Sequence, residues 1–365
     1  MKIIVHPALM TIVKSIFAAA LVSISLIGTP GQTPKPTPDP TPKTVFGPDF
    51  KRWVDVDTFN LAMRYRYVRA NNTVRPNDQL QWQIALRTRF KFDNAGKYSV
   101  NAGVFSGPPF TTNWNNLGLG TGKLQTNVYV KHLYFDAKPT KKFEVQFGGI
   151  TINNGGNSEV TGYDNDGFIT GERIVIRASK TLFFDEISAT NAYLGNLTRP
   201  SIFGRLHRLN ESNYHQFLVH KQVTKQVGFS ADYTFASATD TLREAVRIKP
   251  EHFLLNTLLF DAYQRVSTPN GYGFDIFGEK VLNKKVTING GFARIDRRFT
   301  LNGDKFPPGK RLYTNLMVKL RPDLMLSPVF VRAVGDLPTP STPRMRFDFI
   351  LTWNVLETLH RHHVL

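Results

Sequence analysis

The chain has 365 residues, no cysteine, and 46 Lys and Arg against 28 Asp and Glu, a formal net charge of +18. Hydrophobic residues make up 41% and aromatic residues 12%, with 28 Phe, which excludes a disordered chain, a disulfide scaffold and a thiolate zinc site. Beyond residue 28 no apolar run reaches 18 residues, which excludes a bundle of membrane-spanning helices. A basic, aromatic-rich chain fits nucleic acid, anionic lipid or small anions as partners, and composition does not choose among them.

Residues 1–28 carry Lys2 and Lys14 and an apolar stretch from Ile16 to Ile27, the layout of a secretory signal peptide. No small-x-small cleavage site stands near residue 28, and a permanent anchor helix is the competing reading. Removing this segment takes away two lysines and leaves +16. Residues 29–44 follow as a spacer, with six prolines in positions 29–43. Proline fixes φ and removes backbone donors, so this stretch is extended and lies outside any core.

From Asp57 onward the dominant period is two. Phe59, Leu61, Met63, Tyr65 and Tyr67 alternate with Asn60, Ala62, Arg64 and Arg66. Trp82, Ile84, Leu86, Phe90 and Phe92 alternate with Gln81, Gln83, Arg87, Arg89 and Lys91. Val227–Phe235 and Met345–Trp353 repeat the pattern. Successive strand side chains point to opposite faces, so each segment has one apolar and one polar face. At about nine to eleven residues, each is long enough to cross a bilayer at a tilt.

Sixteen strands are expected, near 57–68, 80–92, 98–105, 124–136, 143–148, 173–178, 183–193, 213–222, 227–235, 241–248, 257–266, 271–281, 286–295, 311–320, 324–334 and 344–355. The segment 257–266 has a rival reading, because Pro250, Leu254, Leu255, Leu258, Leu259, Ala262 and Tyr263 also fit a helix starting at Pro250. Connections alternate in length: 93–97, 137–142, 179–181, 223–226, 282–285 and 321–323 are short. Between them come 69–79, 106–123, 148–172, 194–212, 296–310 and 335–343, all longer, while 236–240 and 267–271 are short and fit less well. Short turns at one end and long loops at the other are the layout of an outer-membrane barrel.

Period two does not say which face is inside, and a soluble β-sandwich alternates in the same way. Aromatic residues at both ends of the apolar faces, the loop asymmetry and the export signal favour lipid on the apolar side. A charge facing lipid at mid-bilayer costs about 2–4 kcal/mol, so Arg87 and Arg89 are expected to face the lumen.

From Val45 to the C-terminus the chain resembles the Gram-negative outer-membrane porins. These are all-β transmembrane antiparallel barrels of about 16 strands, with short periplasmic turns and long extracellular loops. The resemblance rests on this layout and on KKFEVQFGGITINNGGNSEVTGYDNDGFITGERI, residues 141–174, where a strand runs into a Gly/Asn-rich third long loop. In porins this loop folds inward and narrows the barrel. The resemblance therefore implies that the acids Glu159, Asp164, Asp166 and Glu172 face a basic wall made by Arg64, Arg66, Arg87, Arg89 and Lys91. It implies a passive, mildly anion-preferring pore with no cofactor, surrounded by outer-membrane lipid, passing small solutes or anions and assembled as a homotrimer. One departure is the C-terminus. Porins end in an aromatic residue, whereas Trp353 is followed by NVLETLHRHHVL.

Other motifs fall short. GLGTGK, residues 118–123, is one residue short of a phosphate loop and Leu124 replaces the Ser/Thr. Around Asp164–Gly167 a calcium-loop register puts Gly162 first and Arg173 twelfth, so the acid ligands fail. His360, His362 and His363 read as a basic tail ahead of a metal site. No HExxH, GxSxG or SxxK motif occurs, and no nucleic-acid signature accompanies the strand arginines. Two other classes stay open: a secreted soluble β-sandwich binding protein, and a barrel enzyme using Asp185, His215, His220 or His252.

Overall fold

The computed structural model describes residues 48–70, 77–107, 113–160, 167–177, 183–195, 201–236, 239–251, 254–266, 271–296, 306–335, 342–362 and 364. The signal peptide and the spacer expected in residues 1–44 lie outside them. A short helix, α1 (Pro48–Trp53), leads into β1 (Val54–Ala70), β2 (Asn77–Lys91), β3 (Tyr98–Ser106), β4 (Asn115–Gly120), β5 (Val128–Thr140), β6 (Phe143–Thr151), β7 (Phe168–Arg177) and β8 (Glu186–Tyr193). Two 3₁₀ turns, Ile202–Gly204 and Leu206–Arg208, precede β9 (Tyr214–Gln222), β10 (Val227–Ala236), β11 (Thr239–Ile248), β12 (Thr257–Arg265) and β13 (Gly271–Val281). Then come β14 (Val286–Ile295), β15 (Gly309–Arg321), β16 (Leu324–Val334), β17 (Pro343–Asn354) and helix α2 (Val355–Arg361).

All neighbouring strands pair antiparallel, and β1 pairs with both β2 and β17, closing the sheet on itself. The segment β4 was not anticipated. It pairs with β2 at Gln79–Trp82, while β3 pairs with β2 from Ala85 to Lys91. The two are thus one interrupted staff, and the ring is a 16-strand barrel. One closed sheet replaces the two stacked sheets of the sandwich alternative. The helix starting at Pro250 is also overturned: 257–265 pairs on both sides, with β11 and with β13. Backbone groups on a barrel wall need ladder partners, and this overrides a helical spacing of leucines.

Exposure decides which face is inside. Met63, Tyr65, Phe349 and Leu351 lie on one face of β1 and β17 and are exposed, while Arg64 and Asp348 on the other face are buried. The same holds on β5–β7, where Phe135, Phe147, Ile174 and Ile176 are exposed and Asp136, Glu144 and Arg173 are buried. The apolar rows therefore form the outer surface and the polar rows the interior, as a barrel surrounded by lipid requires. Phe92 stacks near Phe135 at 6.3 Å and Tyr98 lies 6.5 Å from the same ring, giving an aromatic belt beside the short turns. Tyr65, Tyr233 and Tyr272 are exposed toward the long-loop end.

The short turns are built by local side-chain acceptors. Asp93 accepts from the backbone N–H of Lys97 and Tyr98, and Gly96 takes the left-handed φ of +62° that this turn needs. Thr224 and Asn283 do the same for Gln226 and Val227, and for Lys285 and Val286.

The C-terminal residues do not extend the last strand. Asn354 ends β17 and caps α2, its side chain accepting from the Glu357 N–H at 3.1 Å. Thr358 donates to Asp323 in the β15–β16 turn at 2.8 Å, and Arg361 pairs with the same carboxylate at 3.1 Å. Desolvation pushes the Asp323 carboxyl up, but the Thr358 hydroxyl and the Arg361 guanidinium outweigh it and hold it below the usual carboxylate range. Trp353 Nε1 donates to the Thr358 hydroxyl at 2.7 Å, so the last aromatic residue is tied to the helix that follows it.

Candidate functional site

After β6 the chain turns into the barrel. Residues 152–160 lie against the inward faces of β9–β12. Gln216 donates to the Asn153 carbonyl at 2.8 Å, and Gly156 N–H donates to Ser230 Oγ at 3.0 Å. Asn157 donates to Asp232 at 2.8 Å and Ser158 N–H to Asp261 at 2.7 Å. Between these acids Arg243 pairs with Asp232 at 2.8 Å and donates to Asn154 Oδ1 at 3.2 Å. Bonds to ionised acceptors are the strong ones, so the loop is fixed along a charged wall. Its Asn-Asn-Gly-Gly-Asn run explains the close fit. Gly155 has φ +56°, and a Cβ there would stand 2.6 Å from Ser230 Oγ and 2.7 Å from Leu218 Cδ1. Apolar residues on the loop (Ile152 and Val160) and on strands (Ile150, Ile169, Tyr214 and Tyr263) belong to a buried apolar cluster.

Of the acids expected on this loop, Glu159 is there and half-buried. Asp164 and Asp166 lie outside the described residues. Glu172 is a correction: it sits inside β7, which starts at Phe168, on the exposed face with Ile174 and Ile176. The strand begins five residues earlier than the apolar alternation indicates, and parity then turns Glu172 outward. There Asn191 Nδ2 donates to it at 3.4 Å.

The expected basic residues all lie on inward faces. Arg64 donates from Nε and Nη2 to Gln81 Oε1 at 2.8 and 2.6 Å, and its guanidinium lies 4.1 Å from the Trp114 ring centre. Gln81 in turn donates to Asn116 of β4, so the interruption between β3 and β4 packs over this arginine. Arg66 grips Asp348 with two parallel bonds at 2.8 and 2.9 Å. Arg87 stacks over Phe105 at 5.1 Å, Arg89 donates to Asn101 at 3.4 Å, and Lys91 pairs with Asp55 at 2.9 Å. Asp348 also meets Arg346 at 3.3 Å and Arg64 at 4.0 Å, so three guanidiniums surround one carboxylate that is 2% exposed. The polar faces of 57–68 and 344–355 both carried these charges in the sequence. Only closure of β1 against β17 brings them together.

A barrel enzyme calls for a Ser or His paired with an acid at the barrel rim. Ser212 Oγ and His215 Nε2 approach to 3.3 Å on the outer face, but the Ser212 hydroxyl bonds Asn191 Oδ1 at 2.6 Å. Among the described residues no hydrogen bond or ion pair joins His215 to a carboxylate. Asp185 is held by Lys221 at 3.0 Å, and His252 lies outside the described residues.

No protein-family model matches the chain, and no curated protein matches it. Solved structures do. A double mutant of Rh. blastica porin aligns over 82% of this chain and 99% of its own, at 8% identity and a TM-score of 0.53. A triple mutant of the Rhodopseudomonas blastica porin aligns over the same shares at 10% identity and 0.52. Salmonella typhi OmpF in complex with daunomycin aligns over 82% of this chain and 97% of its own, at 8% identity and 0.54. Identity this low speaks to the backbone, and the backbone agrees over nearly the whole length of each: the chain has the porin fold, a closed 16-strand antiparallel barrel.

Proposed function

We propose that this chain is a passive outer-membrane pore for small hydrophilic solutes, with a mild preference for anions. The observation that carries the reading is the placement of Arg64, Arg66, Arg87, Arg89 and Lys91 on the inward faces of adjoining strands, with apolar side chains outside. The half-buried guanidiniums of Arg87 and Arg89, set against a low-dielectric wall, draw anions and repel cations, and salt screens the effect over about 8 Å at physiological ionic strength. Loop 152–160 narrows the passage from the opposite chemistry, since its anchor wall holds Asp232 and Asp261. Residues 1–28 export the chain, 29–44 space the barrel from the cleaved end, and the outer membrane of a Gram-negative bacterium is its destination. Its partners are the surrounding lipids and, by resemblance to porins, two further copies of itself. No catalytic role is assigned.

The experiment is reconstitution in a planar bilayer under a KCl gradient. Stepwise conductance with an anion-favouring reversal potential is expected. The double substitution Arg87→Glu, Arg89→Glu replaces two positive charges with two negative ones and should move the reversal potential toward cations. An unmoved potential means these side chains do not line the ion path.

A further inference from the structure

Between the inward loop and the short-turn rim, the inner wall holds a cavity of about 350 Å³. Gly155 and Gly156 border it on the loop side, and β8–β11 form its back. Arg247 of β11 and Lys249 just beyond it line the cavity, with His220 and Gln222 of β9 beside them. All four follow the inward parity of Leu218 and Arg243, opposite to the exposed Phe217 and Leu242.

Among its described lining residues the cavity carries two cations, Arg247 and Lys249, against one carboxylate. Glu186, the carboxylate in the lining among the described residues, pairs with Arg177 at 3.0 Å, and Arg177 also binds Glu144 at 2.7 Å. Glu251, near the rim, accepts from Gln226 Nε2 at 2.8 Å. The side chains of Arg247 and Lys249 are solvent-exposed and make no hydrogen bond or ion pair among the described residues. Arg247 and Lys249, two positions apart along the chain, put two cations on one concave wall, and such a wall focuses the field and draws an anion.

We propose that this cavity is a binding niche for a phosphate-bearing solute. The guanidinium fork of Arg247 matches two phosphate oxygens, and the Lys249 ammonium supplies a second charge. Gln222 and His220 offer donors and acceptors to the remainder of the solute. The volume falls in the range of small-molecule sites, which leaves room for a phosphate ester as well as the free ion. The inference rests on the pore reading and adds to it a saturable step beyond the loop.

The test uses the full chain in a planar bilayer with KCl on both sides and inorganic phosphate as the probe. Phosphate should reduce the chloride current along a saturating curve, with half the effect at about millimolar concentration. Arg247→Gln with Lys249→Gln should raise the half-effect concentration about tenfold or more, since each lost charged hydrogen bond weighs about that much. Equal block of the parent and the Arg247/Lys249 variant, or a linear decline without saturation, overturns the niche while leaving the pore standing. Should the barrel not conduct, calorimetric titration of phosphate into the detergent-solubilised protein decides separately. Heat lost in the Arg247/Lys249 variant supports the niche, and heat absent from the parent or unchanged in the variant refutes it.

Discussion

Joining the inward loop to the wall by a disulfide is the most direct test of its position. A Cβ at Gly156 would lie 3.0 Å from Cβ of Ser230, and a disulfide needs about 3.5–4.5 Å, so the loop has to yield by about half an ångström. The chain has no cysteine to compete. Gly156 is outside the set of left-handed glycines, so a side chain there meets no φ penalty. The two positions are 74 residues apart, and closing such a loop in the unfolded chain is worth about 4.5 kcal/mol by chain entropy, less the native strain. In the reduced form Gly156→Cys, Ser230→Cys loses the acceptor for the Gly156 N–H, at a cost of about 1 kcal/mol. Oxidation should produce a band of altered mobility on a non-reducing denaturing gel and raise the unfolding midpoint above that of the reduced protein. The oxidised channel should conduct quietly, with the loop pinned. If a barrel shown to be folded by heat-dependent gel mobility forms no crosslink under oxidant, the loop does not rest on β10.

Three further outcomes follow from the same wall and its rim. Asp348→Asn leaves Arg64, Arg66 and Arg346 around a neutral amide, which should cost about 3–5 kcal/mol of stability and strengthen the anion preference; a melt and a reversal potential measure the two effects. Arg87→Glu with Arg89→Glu should move the reversal potential toward cations, as set out above. The α2 staple should depend on pH with a definite sign. The Asp323 carboxyl is held below its ordinary 3.8, so its contribution is present above that value and is lost as pH falls through the lower folded value. Tryptophan fluorescence, which includes Trp353 beside Thr358, should change in that acid window, and Asp323→Asn should show the acid-like signal at neutral pH. A variant that still titrates like the parent would show that Asp323 does not hold the helix.

The architecture was largely legible because a barrel strand is a local object. Alternation in Phe59–Tyr67 and Trp82–Phe92 gives strand, face and length together, and Asp93, Thr224 and Asn283 mark turns by bonding their own neighbours. Where local signals failed, a non-local partner decided. Leucines at helical spacing near 257 lost to ladders on both sides. The start of β7 moved back to Phe168 because Ile169 pairs with Ile150, and this turned Glu172 to the outer face. The break between β3 and β4 follows from tertiary packing around Arg64 that no period records.

The sequence by itself determined that this protein is a long run of two-faced strands with arginines on the polar side, since side-chain direction in a strand is set by chain geometry alone. Closure of the ring made the polar side the inside, brought Arg66 to Asp348 across 282 residues, and laid the Gly-rich loop on Asp232 and Asp261. Those contacts belong to the tertiary structure, because the distance between charges in a barrel depends on register and on which strand lies next to which, and neither is written in the spacing of residues along one strand.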